Sequence, residues 1–430
     1  MFDALSIIFW GLILLTIIVF VHEAGHFLAA RAFGVRVKEF MLGLPGPKIA
    51  FKHKDTSYGV TAVPLGGYCM IAGMEGGKLD DDAVKALTFI AYFGNVCEDL
   101  ADKSGKELGF DLESGLDTLA DWGTVRRHKA KGLYHYVLAA ATIEGRHYKE
   151  GESRNIANPR AFLESEQKKT YAVLPWWKRV IILLAGSLSN LIVAMAVLIT
   201  LIMVNGTQVA TTTVDTVVGD SPAAEAGLVP GDKVVSIDGE SFETWQEFYT
   251  AIQTLKPGDE IELGYLHEGS KKTALLTLGE SEGRAVIGVT SRIERSPVSF
   301  FDATEASVSL IGTTLAAMSK LFNPATFSDT IGQSMGVVGI SVEANAAAAA
   351  GPPHFILLVA ALSVSIGFMN LLPIPPLDGG KIVIETIERV SKRKIPLRII
   401  NGLSLTGLVL ILALFVFVTN ADIQRIFFGG

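Results

Sequence analysis

An uncharged run of twenty-five residues, Val180 to Val204, constrains this chain more than any other feature. A helix rising about 1.5 Å per residue needs about 20 such residues to cross a hydrocarbon layer about 30 Å thick, and only a helix satisfies its own backbone there. Trp176, Trp177, Lys178 and Arg179 precede the run as an interfacial aromatic and cationic anchor. Three further apolar runs, Ala4–Val21, Phe355–Leu372 and Leu403–Thr419, follow the same logic, so four spans are predicted. The first is read as a retained span and not a cleaved signal. Asp3 is the charge in front of it, no Lys or Arg precedes it, and no small-x-small site follows it.

Lys and Arg concentrate in three places: the region from Arg31 to Lys54, the pair Lys178–Arg179, and the loop carrying Lys381, Arg389, Lys392, Arg393, Lys394 and Arg398. All three are expected on the cytoplasmic side, which puts both termini and residues 206–350 outside. An apolar fraction of 49% over 430 residues disfavours an ordinary water-soluble enzyme, and 37 basic against 44 acidic residues disfavours a nucleic-acid partner. Cys69 and Cys97 allow at most one bridge and form no CxxC pair, so any metal must use other ligands.

The predicted fold class is a polytopic α-helical membrane protein with a membrane-associated β-hairpin and an extracytoplasmic PDZ-like α+β domain. Residues 1–35 hold the first span. In 36–74, Ile49 and Phe51 alternate with Lys48 and Lys52, a turn is expected at Asp55-Thr56-Ser57, and Tyr58, Val60 and Ala62 alternate again, a hairpin whose edge could take up an unwound substrate strand. Residues 75–160 are polar and mixed, an inserted cytoplasmic module in which His128, His135 and His147 read as solvated. The second span and its approach occupy 161–205. In 206–296, Ser221-Pro222 opens a short helix that Gly227 closes, Val234–Ile237 forms a strand and Asp238-Gly239 turns the chain, a pattern that resembles a PDZ domain. Residues 297–350 contain an interfacial or re-entrant segment around Ala306–Phe322. The third span fills 351–380, and a cytoplasmic loop with the fourth span fills 381–430.

The chemistry lies at His22-Glu23-Ala24-Gly25-His26. Histidines at i and i+4 share a helix face, a spacing suited to zinc, and the Glu beside the first is placed to take a proton from an attacking water. Ionisable groups continuous with a span are costly in lipid and point to function. Catalytic zinc takes three protein ligands, and the candidate third is Asp378 in Asn370-Leu-Leu-Pro-Ile-Pro-Pro-Leu-Asp378-Gly-Gly380, where Pro373, Pro375 and Pro376 interrupt the third span.

The pair VHEAGH and NLLPIPPLDGG resembles the intramembrane metalloproteases of the site-2 protease family, in the RseP-type bacterial branch with one PDZ domain. Pro64–Tyr68 (PLGGY) is similar to that family's membrane-associated β-segment, and Ala161-Phe162 with Trp176–Asn190 to its second span and approach. The resemblance implies zinc ligands His22, His26 and Asp378, the catalytic base Glu23, and Asn370 as the residue that holds substrate. It implies a Zn2+ endopeptidase of the bacterial cytoplasmic (inner) membrane, cutting a single-span membrane protein already shortened outside, such as a membrane-bound anti-sigma factor. Departures are Ala185-Gly186-Ser187 where Ala-Gly-Pro is common, Ser334-Met335-Gly336 where Gly-Pro is frequent, and the 75–160 module, for which the resemblance offers no counterpart. Two rivals differ in class. A zinc transporter needs ionisable groups along several spans, and spans two and four have none. A catalytically inactive membrane-anchored PDZ adaptor needs no Glu23.

Overall fold

The computed structural model describes residues 2–428 apart from 65, 75, 76, 78, 131, 132, 144, 282, 324, 328, 329, 332 and 333. Two residues singled out in the sequence, Leu65 of PLGGY and Glu75 at the start of the module, lie outside the described residues. Among the described residues four helices are long and apolar enough to cross a membrane: α1 (Phe2–Ala32), α6 (Trp176–Asn205), α11 (Pro352–Asn370) and α13 (Leu397–Phe428). The first predicted span ended at Val21, yet α1 continues unbroken to Ala32. HEAGHFLAARA is rich in strong helix formers, so propensity carries the helix through the charged motif. The HExxH group therefore sits within a helix and not at its end.

Lipid offers no hydrophobic drive between spans, so close approach of small residues has to hold them. A helix that the sequence reading folded into the 297–350 segment, α10 (Val337–Ala350), shows this directly. A Cβ at Gly11 of α1 would overlap Ser341 of α10, and Ser6 Oγ donates to Asn345 Oδ1 at 2.6 Å. Gly336 caps α10 without a side chain of its own, and the buried Asp422 of α13 substitutes by accepting the Gly339 amide at 2.8 Å. Upstream, the helix expected over 306–322 runs earlier, as α9 (Phe300–Ser319). The chain from 381, expected as loop, begins instead within an amphipathic helix, α12 (Asp378–Ser391). Its charges masked an apolar row at helical spacing.

The predicted hairpin is half of a larger sheet. Strands β1 (Val37–Leu42), β2 (Lys48–His53), β3 (Thr56–Thr61) and β4 (Gly67–Ile71) lie in the order β2-β3-β1-β4, with β1 parallel to β3 and antiparallel to β4. The turn falls at Lys54-Asp55, one position before the expected one, and Lys54 has φ 53°. Alternation gives the sheet two unlike faces. Phe40, Tyr58 and Phe51 stack in a row on one, beside Phe27 of α1. Glu39, Lys48, Ser57 and Tyr68 belong to the other, where Glu39 accepts from both Lys48 and the Tyr68 hydroxyl. Strand β2 is exposed along its whole length.

Residues 81–167 have a core of their own. Helices α2 (Asp81–Phe93), α3 (Glu98–Leu108) and α4 (Leu112–Trp122) pack with the sheet β5-β7-β6, formed by β5 (Asn95–Cys97), β6 (Val125–Ala130) and β7 (Leu133–Leu138), around Leu87, Ile90, Leu116, Leu119, Trp122 and Tyr136. A hairpin of β8 (Ala141–Ile143) and β9 (Arg146–Tyr148) follows, then α5 (Pro159–Gln167). Asp80 and Asp111 cap α2 and α4 by accepting the Ala83 and Ser114 amides at 2.9 Å each. Their presence identifies starts that the mixed composition hid.

A second compact unit spans Leu198–Ser307. Its strands β10 (Thr207–Val217), β11 (Lys233–Ile237), β12 (Glu240–Ser241), β13 (Glu260–His267), β14 (Ser270–Thr277) and β17 (Val289–Ser296) form a sheet in the order β14-β13-β11-β10-β17, with β12 on β11, and β15 (Gly279–Ser281) pairs with β16 (Arg284–Val286). The short α7 (Pro222–Glu225) is capped by Ser221, and α8 (Trp245–Thr254) by a Thr244–Glu247 capping box. Val214, Val234, Phe248, Ile252 and Leu263 fill the interior.

Candidate metal centre

Two elements far apart in sequence meet at one corner. His22 and His26 lie one turn apart on α1, and Asp378 opens α12. The glycines after it make the meeting feasible: a Cβ at Gly379 would overlap the Leu371 carbonyl and one at Gly380 the Pro375 backbone, so α12 begins tucked under the end of α11. Asp378 Oδ2 stands 3.2 Å from His22 Nε2 and 3.0 Å from His26 Nε2, and the two nitrogens are 3.3 Å apart. All three residues are 8% exposed. Among the described residues this is the one group of three His, Cys, Asp or Glu side chains with donor atoms so close together.

The donor chemistry fits zinc. His26 Nδ1 donates to the Ile182 carbonyl at 2.8 Å, which leaves Nε2 with a lone pair facing the carboxylate. Lone pairs and a carboxylate that face one another at this distance repel unless a proton or a metal cation lies between them. Tetrahedral zinc at about 2.0–2.1 Å from its ligands separates them by about 3.3 Å, which these three donors already match. The other carboxylate oxygen, Oδ1, is 3.7 Å from Lys381 Nζ.

Helix α6 locates both halves of the corner. Ile182 supplies the carbonyl that orients His26, and Gly186, one turn on, leaves room for that ring: a Cβ there would overlap His26 Nε2. One turn before Ile182, Arg179 NH1 meets Glu385 Oε2 at 2.6 Å, with side-chain exposures of 15% and 14%. Glu385 lies two turns beyond Asp378 on α12. Burial raises the Glu385 carboxyl above its ordinary range, and Arg179 opposes that shift.

A cavity of about 300 Å³ opens on the corner, lined by Glu23, Gly67, Tyr68, Cys69, Asn370 and Lys381 with the three donors. Glu23 and Asn370 thus lie around the same space as the donors. The strand beside them is β4, not the β2–β3 hairpin that the sequence reading offered to a substrate. Gly67 abuts Glu23, and β4 is the end strand on this side. Burial raises the Tyr68 phenol well above its ordinary value, the hydrogen bond to Glu39 adds to that, and Tyr68 stays a neutral donor. His128 and His135 form a stacked cross-strand pair in the module, apart from His147. Sequence reasoning missed Ile182, Arg179, Glu385 and Lys381. Gly186 stood out only as part of Ala-Gly-Ser.

The model of peptidase family M50 matches residues 10–414, and the chain belongs to that family, the site-2 protease family. It is 27% identical over 441 residues to the zinc metalloprotease RasP of Geobacillus kaustophilus, covering 99% of this chain and 100% of that one. It is 30% identical over 434 residues to the probable protease eep of Enterococcus faecalis, covering 97% and 98%. A solved PDZ domain of an SdrC-like protein from Listeria monocytogenes matches at 32% identity, 20% of this chain, 87% of that chain and a TM-score of 0.17. The protein is a multi-pass membrane zinc metalloprotease with Zn2+ as its cofactor.

Proposed function

We propose that the enzyme is an intramembrane endopeptidase that cuts a single-span membrane protein, already shortened on its outer side, near the cytoplasmic face of the bacterial cytoplasmic membrane. The observation that carries this reading is the convergence of His22, His26 and Asp378 within 3.3 Å at the base of apolar helices. His22, His26 and Asp378 hold zinc, which supplies Lewis acidity at the scissile carbonyl when bound. Glu23 takes the proton of the attacking water and returns it to the leaving nitrogen. Asn370 has an amide that can hold a substrate carbonyl against the cavity wall. Because helical hydrogen bonds shield the scissile carbonyl, the substrate unwinds locally, and β4 offers an edge whose backbone groups take it up as a strand.

The Lys and Arg loops orient the corner toward the cytoplasm and the 206–296 PDZ-like domain outward, where its groove binds a chain end or filters substrates by size. The wider role is regulated intramembrane proteolysis, such as freeing a transcriptional regulator from an anti-sigma factor. Cleavage of a tagged single-span substrate in liposomes tests the core of this. Glu23→Gln is expected to lower the rate at least about 100-fold, the low end of what a general base contributes, with zinc retained. Unchanged cleavage removes Glu23 from the chemistry.

A further inference from the structure

A second and larger cavity, about 1370 Å³, lies between the polar face of the β2-β3-β1-β4 sheet and the module. Tyr68 lines both this cleft and the catalytic cavity, so the two share a wall. The two sides of the cleft are fastened unequally. At one end Arg36 meets Glu166 at 2.6 Å, both nearly buried, and Asp121 accepts the Gly73 amide at 3.2 Å. At the other, Lys52 of β2 reaches Glu150 Oε2 of the module at 3.4 Å, and Arg126 of β6, on the module's own side, reaches the same oxygen at 3.3 Å, with exposures of 33–40%. Exposed pairs of this kind contribute little and open readily. β2 and β6 are each the end strand of their own sheet, so each has one edge without a strand partner, and both line the cleft.

We propose that this cleft is a second substrate subsite, which receives the polar, Lys- or Arg-bearing segment that continues from the scissile bond past Tyr68 in extended form. The proposal rests on the intramembrane endopeptidase reading above. A helix unwound at the corner continues as extended chain at about 3.3 Å per residue, and its backbone groups need partners outside lipid. Two free strand edges and a polar floor supply them. Segments flanking a span on its cytoplasmic side carry the excess of Lys and Arg. Glu150 already accepts two cations, and an incoming Lys or Arg that replaces Lys52 loosens the latch while Arg126 keeps the carboxylate in place.

The experiment uses the full chain in liposomes, as Glu23→Gln, with a tagged single-span substrate carrying a basic flank. A photocrosslinking amino acid is introduced at Thr142 or His128 in the cleft, and at Asn370 in the catalytic cavity. Adducts from all three, with those from Thr142 and His128 on the basic flank several residues from the bond, support the subsite. Adducts from Asn370 alone overturn it and leave the endopeptidase reading standing. No adducts anywhere overturn both. In the active enzyme, Glu150→Lys is expected to raise KM for the basic-flanked substrate about five-fold, the upper worth of an exposed ion pair, and to lower it for an acidic-flanked one. Equal KM values for the two flanks also overturn the subsite.

Discussion

The metal corner and the cleft are built from the same residue types, His, Asp, Glu, Lys and Arg, and they use them in opposite ways. At the corner all three donors are buried, and two of them are fixed from outside: His26 by Ile182 and Asp378 by the two glycines after it, with α12 held by Arg179. In the cleft the outer ion pairs are a third or more exposed, and one of them, Lys52–Glu150, joins the sheet to the module. Buried charges need partners and hold geometry, whereas exposed ones exchange partners at small cost. A reaction that requires three donors within 3.3 Å of one another needs the first kind of arrangement. A site that must accept varied polypeptide needs the second.

That contrast is most easily broken at Arg179. Arg179→Ala leaves Glu385 enclosed without its cation and is expected to cost about 3 kcal/mol in chemical unfolding, together with weaker zinc retention against a chelator. The double variant Arg179→Leu/Glu385→Leu should recover most of the stability and not the zinc affinity, because the register of α12 is then no longer set by charge. If single and double variants behave alike in both assays, the pair does not locate Asp378. Next in size is Gly186→Ala. Alanine favours the helix by about 1 kcal/mol, so loss of zinc here would not reflect unfolding of α6. Displacing the His26 ring should weaken zinc about 10–100-fold in chelator competition. Affinity equal to the parent chain would mean that the ring has room the geometry does not show.

How much of this could be read in the chain depends on the range of the interaction. The four spans, HExxH and LDG were legible because each is a local pattern, and the strand and turn over 233–239 follow their turn residues closely. Asp378 as a partner of His22 came from asking for a third ligand at the Pro-broken end of the third span, which the family resemblance then matched, since no local rule connects residues so far apart. Arg179 and Glu385 look like an interfacial anchor and a surface charge until folding encloses them. Helix α10 escaped notice because Glu343 and Asn345 interrupt an alanine-rich run, and its packing against α1 depends on small residues instead of hydropathy. The sheet was underestimated for a related reason: β1 and β4 pair across residues that carry no hairpin turn, so only the β2–β3 half advertised itself.

The smallest effect separates the two ends of the cleft by pH. Burial alone would raise the Glu166 carboxyl, but Arg36 and Lys169 outweigh it and hold it below its ordinary range. A carboxyl depressed in the folded state contributes stability that is present above its unfolded value of about 4.3 and lost as pH falls through the folded one. Amide exchange in β1 and α5 should therefore speed up as pH drops below about 4.3, after correction for intrinsic rates. Glu166→Gln should exchange faster than the parent already at pH 7 and lose that acid step. Glu150→Gln, at the exposed latch, should change protection by about 0.5 kcal/mol or less and leave the step in place. An acid step that survives Glu166→Gln, or disappears with Glu150→Gln, would mean that the buried end is not what fastens the module to the sheet.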